Sequence, residues 1–158
     1  MRVIAGAAVL LGLVAGSPQA QQAAQTPPPT PGAIALHRAG YKMESIDITL
    51  APREGMEYKY RLEKGAALLY SWTSTARVHY EMHSEPDNAP RGFAETFDKQ
   101  DDRDRGHASY LAPFSGIHGW YWENRTDAEV TIRLTSAGFY SESREFRRGV
   151  PVRIKRFE

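Results

Sequence analysis

The feature that most constrains the fold is an alternation of apolar and polar residues that begins at residue 44. Ile46, Ile48 and Leu50 alternate with Ser, Asp and Thr, and the same pattern recurs along the chain. Because successive side chains of a strand point to opposite faces, this alternation indicates strands with one face in a core and the other in water. About eight short strands with turn residues between them predict an all-β fold, an antiparallel β-sandwich or barrel.

The alternation also predicts the strands and the side chains that face inward. Tyr58, Tyr60 and Val130 are expected in the core. The segment 98–105 is charged and nearly free of apolar residues, so it is predicted to be a solvated loop within an irregular stretch over 84–106. Strands are predicted over 46–50, 56–62, 68–72, 78–82, 107–112, 117–124, 128–135, 138–146 and 150–156, with 73–76 as a connection.

The first twenty residues read as a targeting segment. Arg2 is followed by an apolar, uncharged run of fourteen residues over 3–16, which is short of the roughly 20 residues that cross a bilayer comfortably. One basic residue, an apolar run and small residues are typical of a secretory signal peptide. A retained signal-anchor helix remains the alternative. Either way, the rest of the chain is predicted to be exported, periplasmic or anchored to the inner membrane and facing the periplasm.

Residues 21–43 are predicted to be a linker and 44–158 the folded domain. The linker is rich in Gln and Pro, and its prolines at 27–29 and 31 favour an extended polyproline II conformation. Residues 33–43 are expected to form a short helix or to stay irregular.

Composition excludes several functional classes. The chain has 20 Lys and Arg against 19 Asp and Glu, so it has no overall charge that would attract nucleic acid. It has no cysteine, which excludes a disulfide scaffold, a cysteine zinc site and a thiol nucleophile. Neither a nucleophile elbow nor a glycine-rich phosphate loop is present. We therefore expect a protein that is not an enzyme.

One group of residues has the chemistry of a metal site. His79, Glu81 and His83 are spaced by two, so a strand places them on one face. Imidazole and carboxylate groups are ligands for Zn²⁺ or Cu²⁺. Positions 79 and 83 are about 13 Å apart on a strand, so another strand must contribute, and His118 is the expected donor. The alternative is that this row faces water while Val78, Tyr80 and Met82 face the core.

A second group is aromatic and is a candidate partner-binding surface. Trp120 and Trp122 share one strand face, and Tyr121 lies between them on the other. Exposed tryptophans would form a platform for a partner, whereas buried ones would be core; a core position is favoured for at least one. Asn124 is expected to fix a turn over 124–127.

Two segments of the chain resemble a known family. One covers 64–86, and the other contains the run His-Gly-Trp-Tyr-Trp-Glu-Asn-Arg-Thr over 118–126. They resemble bacterial envelope proteins called transmembrane anchor proteins, and they are distantly similar to the GOLD domain of the p24 cargo proteins. The resemblance implies a jelly-roll-like sandwich that binds other proteins or lipids.

The sequence thus supports two functional hypotheses. The first is a non-catalytic interaction module of the bacterial envelope. It would be exported or attached to the membrane through its N-terminal segment, and it would bind an envelope protein through the 84–106 segment or the tryptophan surface. The second is a periplasmic Zn²⁺- or Cu²⁺-binding protein that uses His79, Glu81, His83 and His118.

Overall fold

The computed structural model describes Gly32 and residues 34–158. Within these residues the secondary structure consists of eight strands and no helix. The strands are β1 (Lys42–Leu50), β2 (Gly55–Leu62), β3 (Ala67–Pro86), β4 (Glu95–Leu111), β5 (Gly116–Glu123), β6 (Val130–Gly138), β7 (Tyr140–Arg147) and β8 (Arg153–Arg156). The prediction of an all-β domain is therefore confirmed.

Two predictions for the N-terminus fall outside the described residues, namely the signal or anchor segment over 1–20 and most of the linker over 21–43. Residues 34–41 contain neither helix nor strand, and β1 begins two residues before the predicted domain boundary at 44. No helix in the described part of the chain has the length and apolarity needed to span a bilayer.

The eight strands form one curled antiparallel sheet with the order β1-β6-β3-β5-β2-β7-β8, and β4 pairs with β3 outside this order. β3 connects the two halves of the curled sheet, because its first half pairs with β6 and its second half pairs with β5. The two halves of the sheet therefore face each other in a sandwich-like arrangement with β3 common to both.

Two predicted connections are wrong, because both are strand. The charged segment 98–105 lies inside β4, and residues 73–76 lie inside β3. Among the described residues β4 pairs only with β3, so it is an edge strand, and charged side chains on an edge discourage pairing with other chains. Because most of β4 is exposed on both faces, it has no alternation of apolar residues by which a strand could be recognised.

Large aromatic side chains fill the space between the two halves. Tyr58, Tyr60 and Val130 are buried as predicted. The rings of Trp120 and Trp122 stack with their centroids 5.5 Å apart, and Trp72 meets Trp122 edge-on at 5.8 Å. These contacts tie β3 to β5, and they have the geometries that aromatic pairs prefer.

Candidate functional site

The two tryptophans of the predicted partner surface lie in the core. Trp120 and Trp122 are completely buried, because they occupy the inner face of β5, which is a central strand of the sheet. They do not form an exposed platform. Tyr121, between them, points to the outer face and is partly exposed.

Asn124 fixes the turn after β5, as expected. Its side-chain amide donates to the carbonyls of Ala51 at 2.9 Å and Ala128 at 2.7 Å, and its carbonyl oxygen accepts from the backbone N–H of Thr126 at 2.9 Å. Asn124 is completely buried. It therefore joins the end of β1 to the β5–β6 turn and has a structural position rather than a contact surface.

The four predicted metal ligands do not come together. β5 pairs His118 with Ser84, and it pairs the next residue, Gly119, with His83. Directly paired residues point to the same face and successive residues to opposite faces. His118 therefore faces the core, while His83 faces the outside of the sheet.

His118 is held inside the fold by Tyr110. The Tyr110 hydroxyl lies 2.9 Å from His118 Nδ1, and the imidazole ring stacks against Phe114 with the centroids 5.1 Å apart. Burial disfavours the charged form and lowers the pKa of His118 to about 4. The imidazole is therefore neutral at pH 7.

His79 has a partner of its own. Its Nδ1 lies 2.6 Å from Asp101 Oδ1, and the same carboxylate oxygen accepts from Arg125 at 2.8 Å. The hydrogen bond with His79 is the main reason why the pKa of Asp101 lies below its ordinary value. Asp101 belongs to the segment predicted to be a loop, so the sequence did not suggest this pair.

A cluster of charged residues on the outer face contains His83 and three residues that the sequence did not single out: Glu57, Lys59 and Glu85. The side chain of Lys59 is 0% exposed, and its Nζ lies 3.3 Å from Glu57 Oε2 and 3.1 Å from Glu85 Oε1. We call Glu57, Lys59, His83 and Glu85 the outer-face cluster.

The outer-face cluster exists because position 119 is glycine. β5 lies between β2 and β3, so these two strands are two strand spacings apart, or about 9.5 Å. Both Lys59 and His83 pair with Gly119, so nothing projects between them on this face. The lysine side chain can therefore reach from β2 across β5 to Glu85 on β3.

Like Lys59, whose Nζ makes no hydrogen bond among the described residues, His83 has incomplete hydrogen bonding. Its Nε2 lies 3.8 Å from Glu57 Oε1 and its Nδ1 lies 3.9 Å from Glu81 Oε1, and both distances exceed those of hydrogen bonds. Nδ1 is buried without a hydrogen-bond partner among the described residues. Burial and, secondarily, the Lys59 charge lower the pKa of His83, so the ring favours its neutral form.

A different surface carries exposed aromatic residues. Phe93, on the turn between β3 and β4, is 50% exposed, and Phe97, near the start of β4, is 38% exposed. The Phe97 ring lies 5.3 Å from Tyr110 and 6.4 Å from Phe114, centroid to centroid. We call Phe93, Phe97, Tyr110 and Phe114 the hairpin surface; it lies within and beside the 84–106 segment singled out from the sequence.

A cleft of about 400 Å³ lies at the open side of the sandwich, between β1 and β8. Glu44 is buried there and accepts hydrogen bonds from Tyr58 at 2.9 Å, Tyr60 at 2.7 Å and Lys155 at 2.9 Å. Both carboxylate oxygens are thus satisfied by the protein. Glu44 therefore closes this side of the fold, and its carboxylate is not left free for a ligand.

Comparison with known proteins identifies no relative. No model of a protein family matches the sequence, and no curated protein is similar to it. The similarity to transmembrane anchor proteins and to GOLD domains therefore stays a prediction from the sequence.

Proposed function

We propose that this chain is a non-catalytic interaction module of the bacterial cell envelope. The observation that carries the proposal is the exposure of Phe93 and Phe97 on the hairpin surface. Large apolar side chains that the fold leaves in water, with polar residues around them, are typical of sites that bind another protein. Aromatic residues also supply much of the affinity at such sites.

The hairpin surface is well placed and firmly supported. The base of the hairpin is held by the backbone hydrogen bond from Asp87 to the carbonyl of Ser115, and by the Asp87 carboxylate, which accepts two hydrogen bonds of 2.6 Å from Arg61. A supported surface loses little conformational entropy when a partner binds, and this favours affinity. Phe93 and Phe97 would be its anchors.

Export to the envelope rests on the sequence of residues 1–20, and the curled antiparallel sheet is compatible with a GOLD-like, jelly-roll-like sandwich. Both support a partner that is itself an envelope protein. The proposed mechanism is surface complementarity, and no chemical step is assigned to the chain.

The test is site-specific crosslinking of the full chain in its own cells. A photoreactive amino acid at position 93 should yield a discrete crosslinked product, and Phe97→Ser should abolish it. The matched control is position 69, because Leu69 is an equally exposed apolar residue on another part of the sheet. Equal crosslinking at 69 and 93, or none at 93, would contradict the proposal.

Cell fractionation tests the location independently. We expect the protein in the periplasm without its first residues, or in the inner membrane with them. Recovery of the intact chain in the cytoplasm would exclude the envelope assignment, whatever the crosslinking shows.

A further inference from the structure

We propose that Glu57, His83 and Glu85 of the outer-face cluster form a binding site for a divalent transition-metal ion of the Zn²⁺ type. Each offers one donor atom, and these atoms all lie within 4.8 Å of one another. Two carboxylate oxygens and one imidazole nitrogen are a donor set that Zn²⁺ uses in proteins. The site is separate from the hairpin surface. It replaces the site of His79, Glu81, His83 and His118 expected from the sequence, because His79 and His118 have other partners.

The unsatisfied histidine is an independent reason to expect a ligand here. His83 is about nine-tenths buried, and its Nδ1 lacks a hydrogen-bond partner among the described residues. A buried polar atom without a partner costs roughly 1–3 kcal/mol. With a metal ion on Nε2, the proton of the neutral ring is on Nδ1, which faces Glu81 Oε1 at 3.9 Å.

The distances are close to those of a coordinated ion. Glu57 Oε1 and His83 Nε2 are 3.8 Å apart, whereas two donors on a tetrahedral Zn²⁺ are about 3.4 Å apart when each is about 2.1 Å from the ion. A movement of a few tenths of an ångström closes the difference. Glu57 and Glu85 are partly exposed, so an ion can enter from solvent.

Lys59 and Glu81 supply the outer partners that metal ligands usually have. Lys59 contacts Glu57 through Oε2, which leaves Oε1 of that carboxylate toward His83. Glu81 lies on the Nδ1 side of His83 at 3.9 Å, and it is held there by Thr96 at 2.7 Å. A carboxylate behind a metal-bound histidine fixes the ring and its tautomer.

The charge of the outer-face cluster also suits a divalent cation. Glu57 and Glu85 carry two negative charges, and Lys59 carries one positive charge. The cluster therefore keeps one negative charge for the ion to compensate. Lys59 limits the affinity by repulsion, so we expect binding of moderate strength.

The experiment is titration of the full chain with Zn²⁺ by calorimetry, and with Co²⁺ by visible absorption, which reports nitrogen and oxygen coordination. We expect one ion per chain. His83→Gln and Glu57→Gln should each weaken binding at least tenfold. His107→Gln and His79→Gln are the controls and should leave the affinity unchanged, because His107 lies exposed on another strand and His79 is held by Asp101.

Three results would overturn the site. They are no binding of either ion, binding that His83→Gln and Glu57→Gln leave unchanged, and binding that His79→Gln weakens as much as His83→Gln does. Circular dichroism of each variant shows whether it is folded. Glu85→Gln gives a third test, since its side chain is the most exposed of the three ligands and its replacement disturbs the fold least.

Discussion

Lys59 and Gly119 are directly paired across β2 and β5, and the lysine side chain passes over the glycine to place its ammonium 3.1 Å from Glu85 on β3. Three strands are thus connected through one position that has no side chain. The glycine also lets β2 approach closely, since a methyl group at 119 would lie 2.1 Å from the carbonyl oxygen of Tyr58.

Replacement of Gly119 by alanine should therefore be severely destabilising. The added carbon would meet backbone atoms of β2, which cannot rotate away, so the strand pairing must shift. We expect a loss of about 3 kcal/mol or more in the free energy of unfolding, measured by urea denaturation. Gly92→Ala is the control: it has open space around it but a φ of +81°, so it should cost only about 1 kcal/mol. Equal effects would show that the close approach is not required.

Replacement of Lys59 by methionine should also destabilise the fold. The change keeps most of the buried hydrocarbon chain but leaves Glu57 and Glu85 near each other without their shared cation. Removal of one partner of a fully buried ion pair costs about 3–5 kcal/mol, and partial exposure of the two carboxylates reduces this to about 2 kcal/mol. Urea denaturation measures the loss, and the double variant Lys59→Met with Glu85→Gln should recover part of it. No recovery would contradict the pairing.

Asn124 should tolerate neither alanine nor aspartate. Alanine leaves the carbonyls of Ala51 and Ala128 without their donor, at a cost of about 2–4 kcal/mol. Aspartate keeps the shape but faces the same carbonyls with an oxygen, so it should destabilise at least as much. If thermal melting shows that aspartate restores stability, the donor hydrogen bonds are not what Asn124 contributes.

Stability should fall on acidification because of His118. Its pKa is about 4 in the folded protein and near 6.5 when unfolded, so the unfolded chain takes up a proton first as the pH drops below 6.5. Full stability is present above pH 6.5 and is lost progressively toward pH 4. Between pH 7.5 and 5.0 we expect a loss of about 2 kcal/mol from this residue. His118→Gln should show a loss smaller by that amount, and an unchanged pH dependence would refute the assignment.

The tryptophans should behave as interior side chains. All three, Trp72, Trp120 and Trp122, are buried, so iodide should quench native fluorescence weakly and that of the urea-unfolded chain strongly. Trp122→Ala should cost about 3–5 kcal/mol. Strong quenching of the native protein would mean that a tryptophan face is open to solvent.

Much of the sheet could be predicted from the sequence because most strands have one buried face and one solvent-exposed face. Ile48 and Leu50 on β1, and Val130 and Ile132 on β6, are buried at every second position. The alternation of such residues is enough to identify a strand. The orientation of Tyr58 and Tyr60 followed from the same rule.

The alternation rule fails where both faces of a strand are exposed to solvent, or where both are buried. Most of β4 is exposed on both sides, so its charges resemble those of a loop. His79 and His83 alternate with core residues but are buried as well. Their burial depends on side chains from other strands, and the local sequence pattern contains no information about those side chains.

The candidate metal site illustrates the same limit. His83 was identified from its spacing, and Glu85 follows it by two residues on the same strand, but Glu57 lies on β2. Only the strand order, which places β5 and Gly119 between β2 and β3, brings Glu57 to the other two ligands. His118 was misassigned because a shift of one residue in register reverses the face of every side chain.

The length of β3 determines how the protein unfolds. The 20 residues of β3 hydrogen-bond with strands of both halves of the sheet. Neither half can therefore unfold while the other stays folded. Denaturation should be a single all-or-none transition, with the same midpoint by fluorescence and by circular dichroism. Since two of the three partners of β3, namely β5 and β6, pair with it across 30 to 70 residues of chain, we also expect refolding on the millisecond-to-second scale of proteins rich in distant contacts.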